Sequence, residues 1–394
     1  MKKLFILGAG FSKAVSNLMP TLWELSRDAV KWDDLPINRS DYEGLSGDIE
    51  QFLTYLYQEM PWKSPEEVYL DKAAFLMISR HIGAHIGECE REVFNAGAPS
   101  WAFDFLSYLH SNKSNVATLN YDTIIETLAT SVVTNVKKSK NLQYLHEETV
   151  YRLPIANLFQ RTSFILGSHT VDTLRLLKLH GSINWFSSGD GEGSMGQQVY
   201  YEPALKMVPT YKDSERQMEY VDATPINPAD VLKAKVADSF RPGSSKKASW
   251  EEPVGFVPNP DTSKHRNEFD TFRMDLVPLI IPPVADKSTF YKTQLVKALW
   301  SEFRKAIKEV DEIYCVGYSL PKTDLTMRLF LQSNYDAKSK KVYLVDVATG
   351  DAQKALIENY KLVFQSDPDV RYLGIPNAVE QMVKDLVTGS VVTK

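Results

Sequence analysis

The chain of 394 residues has only two cysteines, Cys89 and Cys315. Two thiols build neither a disulfide framework nor a zinc knuckle, and their scarcity favours a reducing compartment. No window of 18 or more consecutive apolar residues occurs, which excludes an ordinary membrane-spanning helix. An excess of positive charge is missing too. With 45 Lys+Arg against 50 Asp+Glu the formal net charge is −5, which argues against nucleic-acid binding by the surface as a whole. Internal repeats and low-complexity tracts are absent. The opening MKKLFILGAG imitates a signal peptide for a few residues, yet its apolar run ends in a glycine turn with no A-x-A-like site after it, so it is expected to be a first strand. A cytoplasmic protein is the expectation.

What is present reads as a globular core: 43% of the residues are hydrophobic and 24% charged. Residues 2–8 form a buried apolar run and 9–16 begin a helix. From about 21 to 110 the period becomes helical, with Ile49, Phe52, Leu53 and Leu56 spaced along one face. Further strands are expected at 115–119, at TLRLLKL ending in His180-Gly181, at IYCV before Gly317, at VYLV before Asp346 and near 370–374; helices are expected around 290–309 and in the tail. Buried strands alternating with helices predict an α/β fold, a Rossmann-like doubly wound parallel sheet with helical insertions and without a zinc module. The expected core comprises 1–20, 111–186 and 271–394. Residues 21–110 are a helical insertion, and 187–270, rich in Gly, Pro, Ser and charge, an irregular insertion or lid.

In such a sheet ligands bind beyond the carboxyl ends of the strands. Five strand ends carry suitable residues: Gly8-Ala9-Gly10 with Ser12, Asn120-Tyr121-Asp122, His180-Gly181-Ser182, Gly317-Tyr318-Ser319 and Asp346. The first is an incomplete dinucleotide fingerprint, because Lys13 stands where G-x-G-x-x-G needs its third glycine and no acid-bearing second strand follows about 20 residues on. Hydride transfer therefore has little support. Simpler roles stand beside the functional ones. Asn120 and Asp122 could cap the helix that follows them, and Ser319 could belong to a plain turn.

These motifs, GAGFS, TLNYD, LHG, GYSL and LVD in that order, resemble those of the sirtuin (silent-information-regulator-2-like) superfamily. NLMPT (17–21) echoes the family's G-I-P stretch, although the arginine expected after it is missing. The two Cys-x-x-Cys pairs that hold zinc in deacylating sirtuins are also missing, so the resemblance is to the zinc-free bacterial branch, whose activity in immunity against phage is hydrolysis of NAD. The resemblance implies NAD as substrate and no metal. It assigns catalysis to His180 as general base, Asn120 as the group orienting the ribose hydroxyl or water, and Asp122 as the acid meeting the nicotinamide carboxamide. Gly8, Ala9, Gly10 and Ser12 would cradle the pyrophosphate, Gly317 and Ser319 its other side, and Asp346 the adenosine ribose. By the same analogy the protein is a homo-oligomer, with the 21–110 helices as contact surface, and works with a HerA-type ATPase or another defence partner.

Other readings stay open. The same pocket could sense NAD or ADP-ribose without cutting it, and deacylation is disfavoured by the missing zinc cysteines. Nucleic-acid processing would rest on the basic stretch 233–249, which otherwise reads as a solvated loop. His81, His85 and Cys89 recur every four residues, as zinc ligands can, but no fourth ligand accompanies them and packed helix surface is the simpler account. His110, His146, His169 and His265 have no constellation around them.

Overall fold

The computed structural model describes residues 2–45, 48–135, 150–151, 156–157, 173–188, 198–201, 206–212, 215–221, 276–281, 291, 293–336 and 339–389. The basic stretch 233–249 and His146, His169 and His265 lie outside the described residues.

The apolar run KLFIL becomes strand β1 (Lys3–Leu7), four of whose residues are buried. A run without polar alternation must be covered on both faces, and a parallel strand flanked by helices meets that demand. β1 pairs in parallel with β2 (Asn115–Thr118) on one side and with β10 (Glu312–Val316) on the other. Strand β4 (Arg175–Lys178) adds beyond β2, and β11 (Lys341–Asp346) and β12 (Asp369–Leu373) add beyond β10. The order β12-β11-β10-β1-β2-β4 makes an all-parallel six-stranded sheet with helices on both sides. From β1 the chain builds outward through β2 and β4, then returns to build the other way through β10, β11 and β12. The direction reverses between β1 and β10, and this is the switch point at which doubly wound sheets leave a crevice.

Side-chain alternation sorts the two faces. Phe5, Tyr314 and Tyr343 share one register row across β1, β10 and β11 and stack, with ring centroids 5.1 and 4.5 Å apart. Helix α6 (Ser100–Ser111) lays Phe105 edge-on against Phe5 at 5.2 Å. The tail helix Ala378–Thr388 packs on both α6 and β11.

Between β1 and β2 the chain makes α1 (Ala9–Val15) and then the helices α2 (Leu22–Asp28), α3 (Arg39–Gly44), α4 (Ile49–Tyr57), α5 (Pro65–Ala96) and α6. Ile49, Phe52, Leu53 and Leu56 are buried on α4, as their spacing predicts, and Asp48 caps that helix through the Glu50 and Gln51 amides. The glycines of HIGAHIGEC do not interrupt α5, which runs unbroken for 32 residues. His81 and His85 sit on it as packed surface: His81 accepts from the Lys31 amide, and His85 Nε2 lies 3.8 Å from Cys89 Sγ.

The structure departs from two expectations. The strand expected to end in His180-Gly181 stops two residues before His180, and the chain then enters a second sheet that was not expected. β4 ends at Lys178, and β5 (Gly181–Ser188) begins in a second sheet, ordered β3-β6-β5-β9, with β3 (Ala156–Asn157), β6 (Gln198–Tyr201) and β9 (Leu276–Ile280). Nor is 187–270 irregular throughout, because it contains β6 and the antiparallel pair β7 (Lys206–Lys212) and β8 (Glu215–Val221). In β7 charged, apolar and hydroxyl residues mix with a proline, so the segment lacks the clean two-residue alternation that marks a half-buried strand.

Candidate functional site

At the switch point the two glycine turns touch backbone to backbone. Gly8 N–H donates to Val316 O (3.0 Å), and Gly10 N–H donates to Gly317 O (2.9 Å). A Cβ on Gly8 would stand 2.5 Å from Gly317 O, and one on Gly10 would stand 2.6 Å from Gly317 Cα. Gly317 itself sits at φ +58°, the left-handed region that favours glycine. The glycines of GAG and GYS thus serve first to let β1 and β10 leave the sheet side by side. Gly10 is consumed in that contact, while Gly8, Ala9 and Gly317 line a cleft of about 290 Å³ above it.

The end of β2 ties itself to the same turn. Asn120 Nδ2 donates to Gly8 O and to Ser12 Oγ, both at 2.9 Å, so its amide faces the glycine turn and not the helix that follows. Ser12, buried on α1, donates to Asp122 Oδ2 at 2.5 Å. Asp122 also accepts a long bond from Ile124 N (3.4 Å), while the start of α7 (Ile124–Asn135) is served by Glu90, which accepts from the amide and hydroxyl of Thr123. Capping is therefore mainly the work of Glu90 from α5.

His180 stands where the chain leaves the parallel sheet for β5. Leu179 N–H still bonds to Thr118 O (2.9 Å), but Gly181 turns at φ +78° and the His180 carbonyl accepts from Ile281 N (2.8 Å). A Cβ on Gly181 would collide with the Leu279 carbonyl, so the histidine is held between two sheets by a glycine that cannot be replaced cheaply. Its ring is buried against the cleft wall.

Behind the cleft lies an ionic cluster with more acid than base. Lys178, fully buried, bonds to Glu126 Oε1 (2.9 Å) and to the Asp122 carbonyl. Tyr151 OH also donates to Glu126 (2.7 Å). Burial raises the carboxyl of Asp122 above its ordinary range, against the opposing pull of Lys178 and Ser12. Burial raises Glu90 as well, and the nearby Asp122 charge adds to the shift. Both shifts favour the protonated forms of Asp122 and Glu90.

Of the residues expected at the site, the structure brings Gly8, Ala9, Asn120, Asp122, His180, Gly317 and Ser319 to one cleft. Gly10 and Ser12 lie under it as supports. Asp346 does not line it: it ends the strand next to β10, and its carboxylate accepts from Ala348 N (2.9 Å). Sequence reasoning gave no role to Tyr318, which donates to Asp324 (2.7 Å), or to Tyr121, which donates to Ile281 O (2.7 Å). It also missed Glu50, Ile86 and Leu25, which the helical segment folds back over the cleft. Among the described residues lining the cleft there are three carboxylates, Glu50, Asp122 and Asp324, and no lysine or arginine. Also among the described residues, no group of three or more His, Cys, Asp and Glu is placed to hold a metal ion.

No protein-family model matches the chain, and no curated protein matches it.

Proposed function

We propose that the cleft binds NAD⁺ and hydrolyses the bond between nicotinamide and ribose, giving nicotinamide and ADP-ribose. The observation that carries the reading is the meeting of two glycine turns, Asn120, Asp122 and His180 at the switch point of the sheet. The resemblance of the five strand-end motifs to zinc-free sirtuin-like proteins supports it.

The charge of the cleft suits this chemistry. The pyridinium ring is cationic in the substrate, and the ribose becomes oxocarbenium-like as the C1′–N bond breaks. A lining that carries Glu50 and Asp324 and, among the described residues, no lysine or arginine favours both species. The electron pair of the broken bond goes to the ring nitrogen, so nicotinamide leaves neutral without an acid. Water then adds to C1′, its proton passing to His180 and on to solvent. An imidazole can take that proton near neutral pH. With both hydrogens of its amide engaged by Gly8 O and Ser12 Oγ, Asn120 offers its carbonyl oxygen to the ribose hydroxyl or the water. Asp122, steadied by Ser12, meets the nicotinamide carboxamide.

A cleft of about 290 Å³ is small for a whole dinucleotide and holds the nicotinamide-ribose half. The pyrophosphate then lies across Gly8, Ala9 and Gly317–Ser319, and the adenosine reaches along the sheet edge toward Asp346. NAD is substrate in this reading and no metal takes part. Following the same resemblance, we extend the proposal to NAD depletion in anti-phage defence by a cytoplasmic homo-oligomer working with a HerA-type ATPase or another partner.

Purified protein incubated with NAD⁺ and followed by chromatography tests the reading. The wild type is expected to release nicotinamide and ADP-ribose, and His180→Ala and Asn120→Ala are each expected to lose on the order of 10²–10⁴-fold in rate. Bound but intact NAD⁺ would assign the cleft to sensing instead.

A further inference from the structure

At the opposite edge of the parallel sheet lies a second cavity, of about 510 Å³. Its floor is the first residue of three strands, Lys3, Asn115 and Arg175. Its walls are the turn from α6 to β2 and the last turns of helix α8 (Gln294–Glu309).

Five cations face this hollow, Lys2, Lys3, Lys113, Arg175 and Lys305, against two carboxylates, Glu302 and Glu309. Glu302 serves two cations at once, Arg175 at 2.6 Å and Lys305 at 2.5 Å. Glu309 stands 3.7 Å from Lys2, and Glu312, outside the lining, stands 3.5 Å from Lys3. Asp311, also outside it, accepts from the Lys2 amide. Even counting those two, cations remain in excess, in a chain whose net charge is −5. Ser114 and Asn115 place neutral hydrogen-bonding groups between the charges, while Asn112 Nδ2 donates to Tyr108 O (2.9 Å) and Thr173 Oγ1 is bonded to His110 Nδ1 (2.7 Å).

Helix dipoles explain only part of this. The negative ends of α6 and α8 face this edge and favour a cation each, which accounts for Lys113 and Lys305. They do not account for Lys3 and Arg175 at the starts of adjacent strands, nor for Lys2. Lys113 carries a further mark. It follows the C-cap of α6 at φ +52°, the place usually given to glycine, and a lysine held there is strained.

We propose that this cavity binds a small polyphosphate anion, at a site separate from the cleft and independent of the function assigned to it. Phosphoryl oxygens match the ligand set: Arg175 supplies a planar fork, the lysines point charges, and Ser114 and Asn115 neutral donors. A compact ligand is favoured over a nucleic-acid strand because the cations converge on one hollow enclosed by three elements and do not run along a stripe.

Calorimetric titration of the full chain with sodium tripolyphosphate tests this. Saturable binding that weakens with salt is expected. Lys113→Gly is expected to weaken it roughly fivefold, and Arg175→Gln combined with Lys305→Gln at least about tenfold. The urea midpoint of Lys113→Gly should stay or rise, because the left-handed strain is relieved. Lys354→Gln, on the remote helix Gly350–Phe364, should bind as the wild type does. Absence of saturable binding, or equal weakening in Lys354→Gln, would overturn the proposal. So would tight binding of duplex DNA with the same residue dependence and only weak binding of tripolyphosphate.

Discussion

The carboxyl edge of the six-stranded sheet holds a cleft lined by Glu50, Asp122 and Asp324, whereas the amino edge holds a cavity faced by five cations and two carboxylates. Their construction differs as much as their charge. The cleft is built from strand ends fastened to one another, with Asn120 bonded to Gly8 and Ser12, Ser12 to Asp122, and the Gly10 amide to Gly317. The amino-edge cavity is built from long side chains joined mainly by ion pairs of partly exposed groups. A network of part-buried hydrogen bonds fixes geometry, as the proposed chemistry at a single ribose carbon would require. Flexible cations fix only a potential, which is enough to hold an anion.

The comparison can be broken first at Lys178, the buried cation behind the cleft. Lys178→Met leaves Glu126 and Asp122 without it and should cost about 3–5 kcal/mol in urea unfolding at neutral pH. The loss should shrink as pH falls and the carboxyls take up protons. A loss that does not change with pH would mean that packing, not charge, holds this corner.

Gly317→Ala comes next. Its Cβ would enter the Gly10–Phe11 backbone from a left-handed φ, so a loss of roughly 2–4 kcal/mol is expected. No residue at the amino-edge cavity should show a comparable glycine requirement, and Lys113→Gly there should be neutral or stabilising.

A smaller effect belongs to Glu90. Its carboxyl is raised in the folded state by burial, so the protonated form is the stabilised one. The contribution is complete below the ordinary value of 4.5 and is lost as pH rises through the folded value. Glu90→Gln keeps an acceptor for the Thr123 amide and should flatten that fall, as read by thermal unfolding across pH.

The smallest effect is expected on α2, where Glu24 closes the capping box with Thr21 and accepts from Lys13 (2.6 Å). The Lys13 ammonium holds this carboxyl down at about 2. Its contribution is therefore present above 4.5 and lost as pH falls toward 2, the reverse of Glu90. Because the pair is partly exposed, Glu24→Gln should cost no more than about 1 kcal/mol at neutral pH.

Much of this was legible in the sequence, for reasons specific to each element. The parallel strands are short apolar runs ending in glycine or polar residues, and their buried pattern leaves few alternatives, so a doubly wound parallel sheet with Gly8, Asn120, His180 and Gly317 on one edge could be anticipated, though not the order of its strands. The second sheet could not. Gly181 is both the end of LHG and the first residue of β5, and nothing local tells a turn from a change of sheet. Glu50 and Ile86 reach the cleft from helices more than 30 residues from the nearest strand-end motif, a tertiary placement that periodicity does not encode. Glu90 read as one more polar residue on a helix. Only its contact with Thr123 reveals it as the cap of α7 and part of the acidic cluster. The glycines were read as making room for a phosphate, whereas the close approach in the structure is between the two turns themselves.

The central claim is that this cleft cuts NAD⁺ at the ribose carbon. Proton magnetic resonance of NAD⁺ mixed with the wild-type protein addresses it most directly, because the ring and anomeric protons distinguish every product. Free nicotinamide appearing in step with the anomeric protons of ADP-ribose is the expected result. A pyridinium spectrum that stays unchanged, or that turns into that of the reduced dihydropyridine, would contradict it.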